Sequence, residues 1–203
     1  MPDVSPPSPS LVRPIILGST SRYRRELLQR LRLPFTAAAP LIDETPLPGE
    51  TPPQLAERLA LAKARAVAAV YPDAIVIGSD QVCDLDGHAL GKPGTHARAV
   101  AQLQAMRGRS VVFHTAIAVV CQHDGFCQSH TSRVTVQFRT LSDAEIERYL
   151  HIDQPYDCAG SAKSESLGIS LLEAIHSDDP TALIGLPLIA TARLLREAGV
   201  PLP

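Results

Sequence analysis

The chain has 203 residues, with 19 Lys and Arg against 21 Asp and Glu, for a formal net charge of −2. Apolar residues make up 45% and charged residues 20%, enough to build a buried core and too little charge for a disordered chain. The near-neutral balance, the lack of Trp and a 4% aromatic content argue against nucleic acid or an anionic membrane surface as the main partner. No stretch approaches the ~18 apolar residues of a membrane helix.

The first twelve residues open with "MPDVSPPSPS", a Pro/Ser-rich run without the basic start and apolar stretch of a secretion signal. It reads as a disordered tail (residues 1–12) ahead of a single domain over 13–203. Pro14–Leu17 reads as a first buried strand, Arg24–Leu31 as a helix and Phe35–Ala39 as a second strand. A loop rich in Pro and acid follows over Leu41–Glu50.

The best-marked helix comes next. Thr51 is its N-cap, Pro52 takes the first helical position and Gln54 completes a capping box. Leu55, Leu59, Ala62, Ala66 and Val70 predict one buried stripe, with Lys63 at its border and Pro72 as the stop. Ala74–Gly78 predicts a short central strand, and Gln81–Leu85 a hairpin with the residues beyond Asp86-Gly87. Then come a helix at Thr95–Met106, strands at Ser110–Cys121 and Thr131–Phe138 around a turn at Asp124-Gly125, and a helix at Ser142–Leu150 opened by the capping box Ser142…Glu145. A Gly/Ser loop leads to Ile169–Ile175, a strand or short helix, and to a last helix, Leu188–Ala198, stopped by Gly199 and Pro201. Helices and strands mix throughout, which predicts an α/β or α+β fold. Cys83, Cys121, Cys127 and Cys158 form no C-x-x-C pair and no H-E-x-x-H is present. Reduced thiols in a cytoplasmic protein are therefore expected, rather than a zinc ribbon, zinc hydrolase or disulfide framework.

Several short stretches carry chemistry. "LGSTSRYRRELL" (Leu17–Leu28) joins a strand to a helix through a small-residue turn. The free N–H groups there attract phosphate. Ser19, Thr20 and Ser21 add hydroxyls, and Arg24 and Arg25 add forked cationic donors. The alternative is a solvated basic helix with a Ser cap. Asp80 in "IGSDQV" follows an apolar strand by two residues. It suits a metal ligand or a proton acceptor from water, or simply a turn Asp in a hairpin. Gln81 beside it has an amide that can read a base edge. Asp43 and Glu44 in "LIDET" are hard oxygen donors of the kind magnesium takes, or a solvated pair. Lys92 in "LGKPG" and Lys163 in "AGSAKSESLG" are loop lysines that can meet phosphate. Together these are the parts for metal-assisted attack on a phosphoanhydride.

In order and spacing, "LGSTSRYRRELL", "DET", "LAKARAVA", "IGSDQV", "LGKPG", "AGSAKSE" and "GLPLIA" resemble the Maf-like nucleotide pyrophosphatases. Ser79-Asp80-Gln81, "SAKSE" and "GLPLIA" are similar to the 7-methyl-GTP pyrophosphatase subfamily. The resemblance implies an elongated Maf/ITPase-like fold, a mixed twisted sheet with flanking helices and a cleft between two lobes. It implies cleavage of a nucleoside triphosphate to the monophosphate and pyrophosphate with a divalent cation, Mg²⁺ or Mn²⁺. It places Asp80 as proton acceptor and Glu44 among the polar residues of the cleft, and the hard oxygens of Glu44 and Asp80 are the expected metal ligands. Tyr23, Gln81 and Glu165 match the base-selecting positions, and Ser19, Arg24, Arg25, Lys63, Lys92 and Lys163 match polar residues of the cleft and are expected to bind phosphate. An aromatic such as Tyr23 stacks well on a cationic 7-methylguanine. Two departures fall in the base-contacting part: Arg22-Tyr23 stands where the family usually has Pro-Trp, and Ser-Leu-Gly follows Glu165 instead of Gly-aromatic-Gly. A pyrophosphatase for dTTP, UTP or a modified pyrimidine, and a nucleotide sensor without turnover, are the alternatives. Either a monomer or a homodimer is compatible with the sequence.

Overall fold

A computed structural model describes residues 13–203; the expected tail over 1–12 lies outside the described residues. The described residues form a mixed α/β structure built on one seven-stranded sheet with five α-helices. In chain order these are β1 (Ile15–Gly18), α1 (Arg22–Gln29), β2 (Thr36–Ala38), α2 (Pro52–Ala68), β3 (Ile75–Leu85) and β4 (His88–Leu90). They are followed by α3 (His96–Met106), β5 (Ser110–Cys121), β6 (Phe126–Phe138), α4 (Asp143–Asp153), β7 (Leu172–His176) and α5 (Leu188–Glu197). The sheet order is β2-β1-β3-β5-β6-β7, with β4 on the far part of β3. β2, β1 and β3 run parallel, and the remaining pairings are antiparallel. The expected element at 169–175 divides into a 3₁₀ turn at Leu167–Leu171 and then β7.

Two differences from the sequence expectation set up the site. First, the short strand at 74–78 and the hairpin arm at 81–85 are one eleven-residue strand, β3. Asp80 therefore lies inside a strand and not at its tip. β1 pairs with β3 only as far as Gly18↔Gly78, while β5 pairs with it from Val76 to Asp84. The antiparallel partner carries the strand through a Gly-Ser stretch that reads locally as a break, and the end of β1 opens one flank of β3 from Ser79 to Val82, before β4 pairs with it from Cys83.

Second, the buried stripe of α2 is Leu55, Ala56, Leu59, Ala60, Lys63, Ala64, Val67 and Ala68. Val70 is 69% exposed, and Lys63 sits in the stripe rather than at its border. The stripe follows i, i+4 steps, with a charged residue at the position where an apolar one was sought. The reason is the partner surface. Ala60 and Ala64 press on Gly78, where an added Cβ would lie 2.3 Å from the Ala60 carbonyl oxygen and 2.5 Å from the Ala64 nitrogen. Small residues on the helix and no side chain on the strand bring the two backbones together. The next helix position toward the cleft is then Lys63.

Strand alternation sorts the remaining core. The even residues Val76 and Val82 of β3, with Ala116, Ala118 and Val120 of β5, pack under α2. On the other face lie two separate apolar clusters. Ile75, Ile77, Ile117 and Val119 are covered by α1 and α5. Cys83, Leu85, Val111 and Phe113 are covered by α3 and α4. Between them the same face carries Ser79, Gln81 and Thr115, all polar. This break in the apolar surface divides the molecule into two lobes on a continuous sheet.

Candidate active site

The cleft between the lobes has a volume of about 860 Å³. Its walls come from the loop after β1, the 39–46 loop, α2, the middle of β3, the segment after β4 and the stretch at 157–159. Asp80 points to the α2 face because it shares parity with Val76, Gly78 and Val82. There Lys63 Nζ lies 2.6 Å from Asp80 Oδ1 and 2.8 Å from Glu44 Oε1. Lys63 and Asp80 are buried, whereas Glu44 is half-exposed on its loop. Among the described residues no protein donor meets Asp80 Oδ2 or Glu44 Oε2. Burial pushes the Glu44 carboxyl up, but its contact with Lys63 outweighs this and holds it below its ordinary value.

The Glu44 loop is clipped from behind. Arg58 of α2 holds Glu50 at 2.5 and 2.8 Å and donates to the Thr45 carbonyl at 3.1 Å. The two carboxylates already converge on a cation, the Lys63 ammonium, and each keeps a second oxygen. This is a hard-oxygen donor pair that fits Mg²⁺ or Mn²⁺.

On the opposite wall, Ser21 caps α1 by accepting from the Arg24 N–H, so the helix begins two residues earlier than expected. Arg24 Nε donates to the Gly185 carbonyl at 2.9 Å, and its Nη1 lies 3.4 Å from Ser19 Oγ. Burial lowers the Arg24 guanidinium from its ordinary value, against the pull of Asp80 and Glu44, but arginine stays charged. The Gly185 carbonyl also accepts from Ser79 Oγ at 3.2 Å. The "GLPLIA" motif therefore serves as a bracket for Arg24. Lys92 lines the cleft and makes no ion pair among the described residues.

The expected base-selecting residues separate. Gln81 faces away from Asp80, on the other side of β3. Its Nε2 is spent on Thr115 Oγ1 and on the Ala182 and Leu183 carbonyls at 2.9–3.0 Å. Only its Oε1 remains for a ligand. Tyr23 lines the cleft. Glu165 is exposed and does not line it, and Arg25 lies on the exposed side of α1. Lys163 is buried behind the wall, where its Nζ donates to the Asp153 carbonyl at 2.9 Å and stands 3.8 Å from Asp157.

Asp157 is a cleft residue that the sequence reading missed. Its Oδ2 accepts from Tyr23 Oη at 3.2 Å. The only local signal was an acid directly ahead of the Cys-Ala-Gly-Ser turn. Away from the cleft, His96, Glu147 and His151 bring three ligand-type atoms within 4.8 Å. There Glu147 Oε2 accepts from His96 at 2.8 Å and Tyr156 holds the other ring nitrogen at 2.9 Å, which joins α3 to α4.

Cys83, Cys121, Cys127 and Cys158 are all free thiols. Among the described residues no helix is long and apolar enough to cross a membrane.

The chain is 70% identical over 190 residues to a 7-methyl-GTP pyrophosphatase of Polaromonas sp. (strain JS666 / ATCC BAA-500), covering 94% of this chain and 87% of the relative. It is 65% identical to one from Albidiferax ferrireducens, covering 95% and 97%, and 63% identical to one from Burkholderia pseudomallei, covering 93% and 89%. The family model described as Maf-like protein matches residues 14–198. That match takes in β1, both cleft walls and α5, so the chain belongs to the Maf-like family.

Proposed function

We propose that this cleft hydrolyses the α–β phosphoanhydride of 7-methyl-GTP, giving 7-methyl-GMP and pyrophosphate, in the cytoplasm. One observation carries the reaction. Asp80 is fixed through Oδ1 by Lys63 and keeps Oδ2 open, in the same cleft as Ser19, Arg24 and Lys92. A carboxylate held by one oxygen is oriented as a proton acceptor with the other. Water gives its proton to Asp80 Oδ2 as its oxygen bonds the α-phosphorus. The P–O bond to the β-phosphate breaks and pyrophosphate leaves with the electron pair.

Arg24, Lys92 and the Ser19 hydroxyl bind the phosphate oxygens and offset the charge that gathers on the leaving group. Lys63 keeps Asp80 aimed through its contact with Oδ1. Glu44 and Asp80 would hold a divalent cation, Mg²⁺ or Mn²⁺, and such an ion supplies further neutralisation of phosphate charge. Tyr23 stacks on the base, and Gln81 Oε1 is the remaining acceptor on the far side of β3. Lys163 and Arg25 do not line the cleft, and Lys163 instead braces the 153–157 segment beside Tyr23. The relatives' names supply the nucleotide.

The test is pyrophosphate release from a panel of 7-methyl-GTP, GTP, dTTP and UTP, with and without EDTA. The expected result is metal-dependent release with the highest kcat/KM on 7-methyl-GTP. A preference for dTTP or UTP would reject the substrate, and tight binding without release would reject the reaction.

A further inference from the structure

Among the residues lining the cleft, Arg24, Lys63 and Lys92 gather around Glu44 as a cationic end, and Arg22, Tyr23, Asp157 and Cys158 form a second group joined by their own contacts. In a bound nucleotide the phosphates take the first, which leaves the second to the base. In that second group the Arg22 guanidinium sits 4.7 Å from the centroid of the Tyr23 ring. Its Nη2 donates to Tyr23 Oη at 2.7 Å and lies 3.9 Å from Asp157 Oδ2. A flat, delocalised cation thus rests against an aromatic ring with a carboxylate beside it.

We infer that Tyr23 and Asp157 form a subsite for a flat cationic base, and that Arg22 occupies it until such a base displaces it. The inference rests on the nucleotide reading above and adds the group that tells a methylated base from an ordinary one. A guanine methylated at N7 carries a positive charge spread over its five-membered ring, while its N1–H and N2 amino edge still donates. Ordinary guanine offers the same edge without the charge. Hydrogen bonds to a carboxylate therefore hold both, and only the charge discriminates.

Asp157 suits this role. Burial raises its carboxyl, but a hydrogen bond from the Cys158 thiol, the nearby Lys163 and the Tyr23 hydroxyl outweigh that and keep it below its ordinary value. Both of its oxygens lie among groups that donate without saturating them: Tyr23 Oη at 3.2 and 3.4 Å, and Cys158 Sγ at 3.5 Å. Glu165, the acid that family resemblance would assign to the base, is exposed outside the cleft lining. Arg22 can leave at little cost, because its side chain is 65% exposed and its ion pair is long.

The experiment is calorimetric binding of 7-methyl-GMP and of GMP to the full chain, compared across wild type, Asp157→Asn and Arg22→Ala. Asn keeps an oxygen that accepts from Tyr23 while removing the charge. Asp157→Asn is expected to lower the 7-methyl-GMP to GMP affinity ratio by about tenfold, the scale of one partly desolvated cation contact. Arg22→Ala is expected to raise the ratio about threefold by freeing the subsite. A ratio within about twofold of wild type in Asp157→Asn, or one that falls in Arg22→Ala, would overturn the inference. Pyrophosphate release from 7-methyl-GTP separates the two readings. Release with an unchanged ratio sinks the subsite alone. No release, with a ratio that falls in Asp157→Asn, sinks the reaction alone.

Discussion

Gly78→Ala tests the contact that builds the site. The added Cβ would lie 2.3 Å from the Ala60 carbonyl oxygen, 2.5 Å from the Ala64 nitrogen and 2.9 Å from its Cβ. Two of these atoms are backbone, so no side-chain rotation relieves the overlap. Restoring ordinary contact at 3.4 Å requires α2 to retreat by about 3.4 − 2.3 = 1.1 Å. Overpacking of this kind costs about 1–3 kcal/mol. At about 2–4 °C per kcal/mol for a chain of this size, the melting point should fall by roughly 2–12 °C. Gly91→Ala is the control, since nothing lies within 4 Å of its added Cβ and its φ is not positive. The assay is thermal unfolding followed by circular dichroism. If Gly78→Ala melts within 1 °C of Gly91→Ala, by about the resolution of such a scan, the close approach of α2 to β3 is not what holds Lys63 against Asp80.

Asp80→Asn should lower kcat by about 10²–10⁴-fold with the fold intact, as measured by pyrophosphate release; near-normal turnover would remove Asp80 from the chemistry. Lys63→Met strands a buried carboxylate and should cost about 3–5 kcal/mol in urea unfolding. Adding Asp80→Asn to it should recover part of that loss, and strict additivity of the two changes would show that they do not interact. Arg58 holds the Glu50 carboxyl down to about 2, from an ordinary 4.5. A depressed folded-state value means that this contribution to stability is full above pH 4.5 and is lost as pH falls toward 2. Glu50→Gln should therefore flatten the acid dependence of the melting point in that window, and a curve parallel to wild type would show the clip to be idle.

Much of the secondary structure was written locally. Thr51, Pro52 and Gln54 fix the start of α2, and the capping box of Ser142 with Glu145 fixes that of α4. Asp86 and Gly87, both at positive φ, turn β3 into β4. These are contacts between residues a few positions apart, so order along the chain contains them. The ordered motifs likewise pointed to Ser19, Tyr23, Arg24, Glu44, Lys63, Asp80, Gln81 and Lys92, all of which line the cleft.

Neighbours distant in sequence decided the rest. The continuity of β3 past Gly78 depends on β5, some 35 residues away, supplying hydrogen bonds where β1 has ended. The place of Lys63 in the buried stripe depends on Gly78 across the interface, since a helix has no apolar period of its own for a lysine that a partner carboxylate will neutralise. Asp80 and Gln81 are adjacent in the chain yet serve opposite faces, because a strand turns successive side chains apart. Asp157 enters the cleft through contacts with Tyr23, more than a hundred residues upstream. Residue type and spacing thus determined which groups the protein has to work with. Packing of the sheet against α2 and the 182–185 bracket decided which of them meet, because those distances are set by which surfaces exclude each other and not by separation along the chain.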